Sequence, residues 1–481
     1  MPNDLKQKTI SGMIWSGIGR IGTVGILFIS NLVLARLLIP DDFGCIGMLY
    51  VFIAISGVFV SGGLGQALIQ KKEPTHTDYT TVFYWNLATA VIFYLILFFS
   101  APAIARFYNI PLLRDVLRVQ SIVLLIQSFS FVQATQLQKN LQFKSLSTRN
   151  IAAALAGMVV AIAMALLGCG VWSLVASAIV SALVSVLLLW RMSSWRPSLT
   201  FSFQSLKSLF SFGGLMLLSS LVETIYTNLQ SFVIGKCYSA RDLGFFTQAK
   251  KLEEVPTTSL SAVVNEVSFP VFSALQDDKE HLVQGLRKNV KAITYLNFPM
   301  MALLIVIAHP VITLLYGAKW DVSATYFQII ALSSMIYTLN TLNTNAIKSI
   351  GKSKIYFFIQ LAKRIIGIAL IVLGVRFGIM GLLWAVAAAG YICFFINAFV
   401  NGKLIGYGIL SQIKDTGICY LLSILIGVAT FFVGKALPLP PYPVMFIQIV
   451  IYILLYWLFS VLLKLDGYST YKEIILNKIK K

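Results

Sequence analysis

The sequence predicts an all-α, multi-pass membrane protein. About fourteen transmembrane helices are expected, in two six-helix lobes related by a pseudo-twofold along the membrane normal, with two extra C-terminal helices. Three observations carry this. The 481 residues are 58% hydrophobic and only 12% charged, with a mean hydropathy of +0.83. A soluble domain carries about a quarter charged residues on its surface, and this chain has too few. Apolar stretches long enough to cross a bilayer, about 20 residues each, recur throughout. The chain also repeats itself. Ala35-Arg36-Leu37-Leu38-Ile39-Pro40-Asp41-Asp42-Phe43-Gly44 lines up with Gly235-Lys236-Cys237-Tyr238-Ser239-Ala240-Arg241-Asp242-Leu243-Gly244 at an offset of 200. Pro102, Tyr108, Lys144-Ser145 and Gly170 line up with Pro310, Tyr316, Lys352-Ser353 and Gly378 at an offset of 208.

In chain order, the first half holds spans at 11–37, 43–69, 80–104, 114–138, 147–168 and 171–190. The second holds 209–234, 245–273, 293–316, 324–347, 355–375 and 379–401, and a final pair lies at 415–434 and 443–463. The apolar stretch after Lys6 and Lys8 is too long for a signal-peptide core, so it is expected to remain as the first helix. Residues 191–208, with Trp195, Arg196 and Pro197, read as the linker between halves. The acidic stretch from Gln276 to His281 reads as a solvated turn. Pro438-Leu439-Pro440-Pro441-Tyr442-Pro443 is a stiff turn joining the last two helices. The lobes are expected at 1–195 and 196–405, with 406–481 holding the two added helices and a basic tail. Six spans separate the two copies, an even number, so both copies share one orientation. A repeated multi-span half is the plan of a transporter, because alternating access needs two similar bodies rocking about one site.

The formal charge of +20 raises nucleic-acid binding. Its distribution argues against this, because the cations sit between apolar spans. The positive-inside rule accounts for them better: loops assigned inside hold 24 Lys and Arg, against 9 outside, which places both termini in the cytoplasm. Five scattered cysteines and three distant histidines suggest neither a disulfide framework nor a metal site, and no cofactor is expected. Ala346-Ile347-Lys348-Ser349-Ile350-Gly351-Lys352-Ser353 imitates a phosphate loop but lacks its first glycine and a preceding strand. Ser61-Gly62-Gly63-Leu64-Gly65-Gln66 imitates a dinucleotide turn, but inside a span its glycines read as close helix packing. Without an ATPase cassette, energy must come from an ion gradient, the membrane potential or substrate flux.

An ionised side chain inside a membrane is costly unless it faces protein or water, so intramembrane charges are the first candidates for function. Arg20 shares a helical face with Ser16, Thr23 and Asn31: either a cation awaiting an anionic group or an arginine reaching for the membrane surface. Glu223, with Ser219, Thr227 and Gln230, falls at an offset of 200 from Thr23, so it can oppose Arg20 across a cavity or make a structural hydrogen bond. Lys250, Lys251, Glu253 and Glu254 form a mixed cluster near Pro256 that can neutralise itself, Lys250 and Glu254 being one turn apart. Glu266 is a candidate proton or ion site. Lys363 and Arg364 are adjacent, point in different directions, and can grip a diphosphate through charge-assisted hydrogen bonds.

The stretch Leu34–Gly44, followed by Gly63-Leu64-Gly65-Gln66-Ala67-Leu68-Ile69-Gln70, resembles the Wzx-type polysaccharide flippases of the multidrug/oligosaccharidyl-lipid/polysaccharide exporter superfamily. Phe210-Ser211-Phe212-Gly213 and Phe269-Pro270-Val271-Phe272-Ser273 agree with it. The resemblance implies a V-shaped pair of lobes around a cationic cavity. It implies movement of an undecaprenyl-diphosphate-linked oligosaccharide from the inner to the outer leaflet of a bacterial cytoplasmic membrane, with proton or sodium coupling. The implied partners are that substrate, membrane lipid, a polysaccharide polymerase and assembly proteins, and the implied state is a monomer. The family has no strict motif that assigns residues. Arg20, Lys250, Lys251, Lys363 and Arg364 would then hold the diphosphate, Glu223 and Glu266 would couple an ion, and the last two helices would help line an apolar path for the tail. Two rivals stand beside this. A drug exporter of the same superfamily calls for intramembrane acids in the first lobe, and the four found here are all in the second half. A membrane polymerase or ligase calls for a large outer loop, and the outer loops are short.

Overall fold

The computed structural model describes the backbone of residues 3–479 and the side chains of residues 11–472, apart from 262, 263, 265–267, 269, 270 and 353. The described chain is helical and contains no strand. It divides after Gly244 into two compact units.

The first unit contains α1 (Asn3–Leu37), α2 (Pro40–Ser61), α3 (Leu64–Gln70), α4 (His76–Tyr108), α5 (Leu112–Gln120), α6 (Ile122–Ser128), α7 (Phe131–Lys139), α8 (Phe143–Leu166), α9 (Val171–Met192), α10 (Phe203–Cys237) and the first turn of α11 (Ala240–Ala274). α10 packs here against α2, α3 and α4. The second unit continues α11 and adds α12 (Lys279–Val306), α13 (Ala308–Tyr316), a 3₁₀ turn, α14 (Asp321–Ser349), α15 (Ser353–Val375), α16 (Gly378–Ile405), α17 (Ile409–Ala436), α18 (Pro441–Leu462) and α19 (Asp466–Ile479).

Twelve of the described helical segments are long and apolar enough to cross a membrane, and thirteen if α5–α7 make one bent span. Two of the fourteen expected spans therefore depart from simple apolar rods. The fourth is broken at Ser121 and around Phe129-Ser130 into three short helices, with a 44° bend before the last. The eighth is one 35-residue helix that falls short of that apolarity, with four charges at 250–254 and a polar, proline-containing stretch after them.

Helix starts explain the repeated motif. In the first copy Pro40 is the first residue of α2, and Asp42 Oδ2 accepts from Ile39 N at 3.1 Å. In the second, Asp242 N donates to Ser239 Oγ at 3.0 Å, and the hydroxyl donates back to Asp242 Oδ2 at 2.7 Å. Asp42 in the first copy and Ser239 in the second each satisfy a backbone donor at a helix start, and both aspartates favour the positive end of the dipole. The glycine at the end of each copy serves a different need. A methyl group built on Gly44 would sit 1.7 Å from the Ala240 carbonyl oxygen, and one on Gly244 would sit 2.0 Å from that of Pro40. The two copies of the motif thus meet reciprocally, backbone on backbone, and only glycine permits that approach.

Gly62 and Gly63 take positive φ and break α2 from α3, and a methyl on Gly63 would lie 2.2 Å from the Gly213 carbonyl oxygen. The glycine-rich run is a packing device, as its place in a span suggests. The linker is tied down: Trp195 is buried, a His76 ring nitrogen lies 3.1 Å from the Arg196 carbonyl, and Ser202 N donates to Thr81 Oγ1 at 3.1 Å.

Candidate functional site

In the first unit, α1 lays Gly12, Trp15, Gly19 and Gly22 against Phe143, Ser147 and Ile151 of α8, with Ser147 Oγ donating to the Trp15 carbonyl at 2.7 Å. One residue on from that stripe, Arg20 is exposed and makes no hydrogen bond or ion pair to a described residue. Ser16 is exposed too, and the Thr23 hydroxyl is buried without a partner. On α10, Glu223 is exposed and accepts a long, 3.5 Å hydrogen bond from Thr227 Oγ1.

On α11, Lys250 is half-buried with its ammonium 6.0 Å from the centre of the Phe246 ring, and Lys251 and Glu254 are exposed. Glu253 is buried and accepts a hydrogen bond from Thr257 Oγ1. The side chain of Glu266 lies outside the described residues, as do those of Phe269 and Pro270.

Lys363 differs from all of these. It is 9% exposed on α15, and its Nζ donates to Asn397 Oδ1 of α16 at 3.1 Å. Among the described residues no carboxylate pairs with it. Asn397 Nδ2 passes a hydrogen bond to Asn340 Oδ1 of α14 at 2.8 Å, and Asn340 Nδ2 donates to the Gly390 carbonyl at 3.1 Å. One turn along both helices a second amide cluster follows. Asn401 Nδ2 donates to Asn343 Oδ1 at 2.7 Å, while Asn343 and Gln412 exchange side-chain hydrogen bonds of 2.9 and 2.8 Å. Asn401 Oδ1 is buried with no partner. Arg364, one residue from Lys363 and about 100° around the helix, is half-buried.

The five amides Asn340, Asn343, Asn397, Asn401 and Gln412 are the residues that a search for charge passes over. Their signal is present in the sequence: asparagines three apart on α14 and four apart on α16, each pair on one face of an apolar helix. Buried amides of this kind hold neighbouring helices together in a membrane. Beside a buried ammonium with no carboxylate partner among the described residues, they make a polar cluster whose cation has the chemistry to bind an oxyanion.

Further along α14 and α16 lies an apolar cavity of about 760 Å³. Ile305, Met335, Met380, Trp384, Phe431 and Phe432 line it. Of its two polar lining residues, Thr325 and Gln328, the glutamine is turned back to donate to the Ile305 carbonyl at 2.9 Å. α17 supplies one wall; α18 contributes none of the lining residues. Trp384 and Asn397 are separated by about 20 Å along α16, at 1.5 Å per residue. The second unit therefore sets a buried cationic cluster and an apolar cavity along α14 and α16.

A family described as polysaccharide biosynthesis protein matches residues 33–325. The chain is 28% identical to the succinoglycan biosynthesis transport protein ExoT of Rhizobium meliloti (strain 1021), across 76% of this chain and 74% of that one. It is 26% identical to the lipopolysaccharide biosynthesis protein WzxC of Escherichia coli (strain K12), across 77% and 76%. Its fold is similar to that of the lipid II flippase MurJ in an inward closed conformation, with a TM-score of 0.75 and 16% identity over 96% of this chain and all of that one. An inward-facing multidrug resistance MATE family transporter aligns with a TM-score of 0.60 and 14% identity, over 85% of this chain and 98% of that one.

Proposed function

Because the chain belongs to the polysaccharide biosynthesis protein family, we propose that it transports a lipid-linked oligosaccharide, with the undecaprenyl-diphosphate carrier as the working identity of the lipid. It acts as a transporter rather than an enzyme. It takes the substrate from the inner leaflet of a bacterial cytoplasmic membrane, both termini lie in the cytoplasm, and the oligosaccharide passes to a polymerase after release outside. Three features support this reading: the repeat in the sequence, the buried polar cluster around Lys363, and the apolar cavity beside α17. The relatives' names speak of succinoglycan and lipopolysaccharide biosynthesis.

The observation that carries the chemistry is Lys363. Among the described residues the buried Lys363 ammonium meets an amide oxygen and no carboxylate, and a charge left so is costly in a low-dielectric environment. Binding a phosphate would recover that cost through charge-assisted hydrogen bonds. The oily tail of the same molecule can run in the cavity lined by Trp384 and Phe431. Arg20, exposed on α1, can meet the diphosphate only where it approaches through water. Lys250, Lys251 and Arg364 flank other faces of α11 and α15 as supporting cations, and Glu223 is the described candidate for ion coupling.

Proteoliposomes carrying a fluorescent lipid-diphosphate sugar test this. Lys363→Met should lower the flipping rate about tenfold or more, the worth of a hydrogen bond to a charged group. The melting temperature should change little, because removing an uncompensated buried charge offsets the loss of the hydrogen bond to Asn397 Oδ1. Unchanged rates for Lys363→Met and Arg20→Ala together would sink the assignment. Export of organic cations with no movement of the lipid substrate would favour a drug exporter.

A further inference from the structure

A second charged cavity lies in the second unit, where α12, α17 and the α18–α19 turn converge. Its floor is a tight ion-pair cluster. Arg287 donates two hydrogen bonds, 2.6 and 2.7 Å, to the carboxylate of Asp415. Tyr407 OH adds a third at 3.0 Å, and Lys291 lies 3.2 Å from Asp415 Oδ1. Lys291 also pairs with Asp466 at the start of α19. The Asp415 side chain is 3% exposed and fully engaged.

The turn above this floor is firmly placed. Lys464 sits in the left-handed region at φ 48°, a conformation that a lysine adopts only when its surroundings hold it there. A methyl on Gly467 would fall 2.4 Å from Tyr295 Cβ, and Tyr471 stacks on Tyr295 with ring centres 6.0 Å apart. Tyr471 OH donates to the Ala292 carbonyl at 3.3 Å. α19 is thereby docked on α12.

What remains is a cavity of about 250 Å³ with four cations, Arg287, Lys291, Lys414 and Lys464, against two carboxylates. The two carboxylates are consumed by Arg287 and Lys291. Among the described residues, the side chains of Lys414 and Lys464 make no ion pair or hydrogen bond, and both are exposed. The rim is apolar on one side: Ile418 and Leu463 line the cavity and are 57% and 52% exposed. Both belong to the helices α17 and α18 or the residue just after them, which are apolar enough to span a membrane. A cationic hollow between helices with an oily lip has the chemistry of a phospholipid headgroup site. At 250 Å³ it takes a single headgroup phosphate and is too small for a diphosphate bearing an oligosaccharide.

We infer that this cavity binds the phosphate headgroup of an anionic membrane phospholipid, with Lys414 and Lys464 gripping the phosphate and the acyl chains lying along Ile418 and Leu463. The inference rests on the helices spanning a membrane and is independent of the transported substrate. The purified full-length protein, titrated with phosphatidylglycerol under native mass spectrometry, should hold one such lipid more tightly than phosphatidylcholine of the same chains. Lys414→Gln with Lys464→Gln should weaken phosphatidylglycerol roughly tenfold to thirtyfold, about the effect of two lysines beside an anionic surface. Lys414→Arg with Lys464→Arg should retain it, and the melting temperature reports that each variant is folded. Equal binding of the two lipids, or phosphatidylglycerol binding unchanged in the glutamine variant, would overturn the site. Stoichiometric binding of inorganic phosphate alone, displacing the lipid at millimolar concentration, would overturn the lipid as its source.

Discussion

The helix pairs α8–α9 and α15–α16 occupy matching places in the repeat, yet they are joined by different chemistry. In the first pair, small residues allow close approach: Ser177 Oγ donates to the Gly157 carbonyl at 3.0 Å and Ser181 Oγ to the Ala153 carbonyl at 2.7 Å. In the second pair, a buried ammonium bonds an asparagine. At the offset of 208, Lys363 and Asn397 stand where the first half has Leu155 and Leu189, and Asn340 stands where it has Val132. Asn401 corresponds to Ser193, whose hydroxyl donates to Gln136 Oε1 at 3.1 Å. One scaffold is thus built twice, and the buried lysine between these two helices was placed once. The scaffold can be shared because glycine and serine contacts need only proximity. The Lys363–Asn397 bond is asymmetric because it needs a particular pair of side chains, which only the second half supplies.

The largest effect should come from the feature the two copies share. Gly44→Val drives a branched side chain into the Ala240 backbone carbonyl, which cannot rotate away. Overpacking of this kind costs about 1–3 kcal/mol or more. A strongly lowered melting temperature and lost flipping are the expected readouts. Gly25→Ala is the control, since a methyl there meets nothing within 4 Å. Equal behaviour of the two would show that the motif contact is dispensable.

Next in size is the amide cluster peculiar to the second half. Asn343→Leu leaves Gln412 and Asn401 without their partner, and a buried orphan costs about 1–3 kcal/mol. Its melting temperature should fall clearly below that of the matched first-half change Thr135→Val, where the lost bond is one 2.9 Å hydroxyl contact to the Phe131 carbonyl in the same helix. If both fall alike, the halves are not held differently. Smallest of all, Ser181→Ala removes one hydroxyl bond between α8 and α9 and should cost only about 0.5–1.5 kcal/mol with transport preserved. A transport defect there would move part of the site into the first half.

Some of this was readable along the chain. The apolar spans and the two motif copies stand in the sequence, and so do the glycines that let backbones touch. The breaks in α5–α7 were not, because an apolar run near Ser121 and Ser130 reads the same whether it is continuous or bent. The candidate site was legible only in part. Lys363 was found as a charge in an apolar helix, but Arg20 was found by the same reasoning and is exposed. Gln412 pairs with Asn343 across 69 positions and Arg287 with Asp415 across 128, partners that no local pattern joins. The linker was read as a connection, and only the fold shows Trp195 buried against Tyr79 and Phe83.

By itself the sequence determined that this chain lives among lipids, that its helices come in two related sets, and where glycine must sit. Hydropathy and steric demand are properties of short stretches, so they are written locally. The tertiary structure alone decided which cation is enclosed and which is left at the surface. That depends on how each helix is turned about its axis and on the amides and carboxylates that other helices bring to meet it.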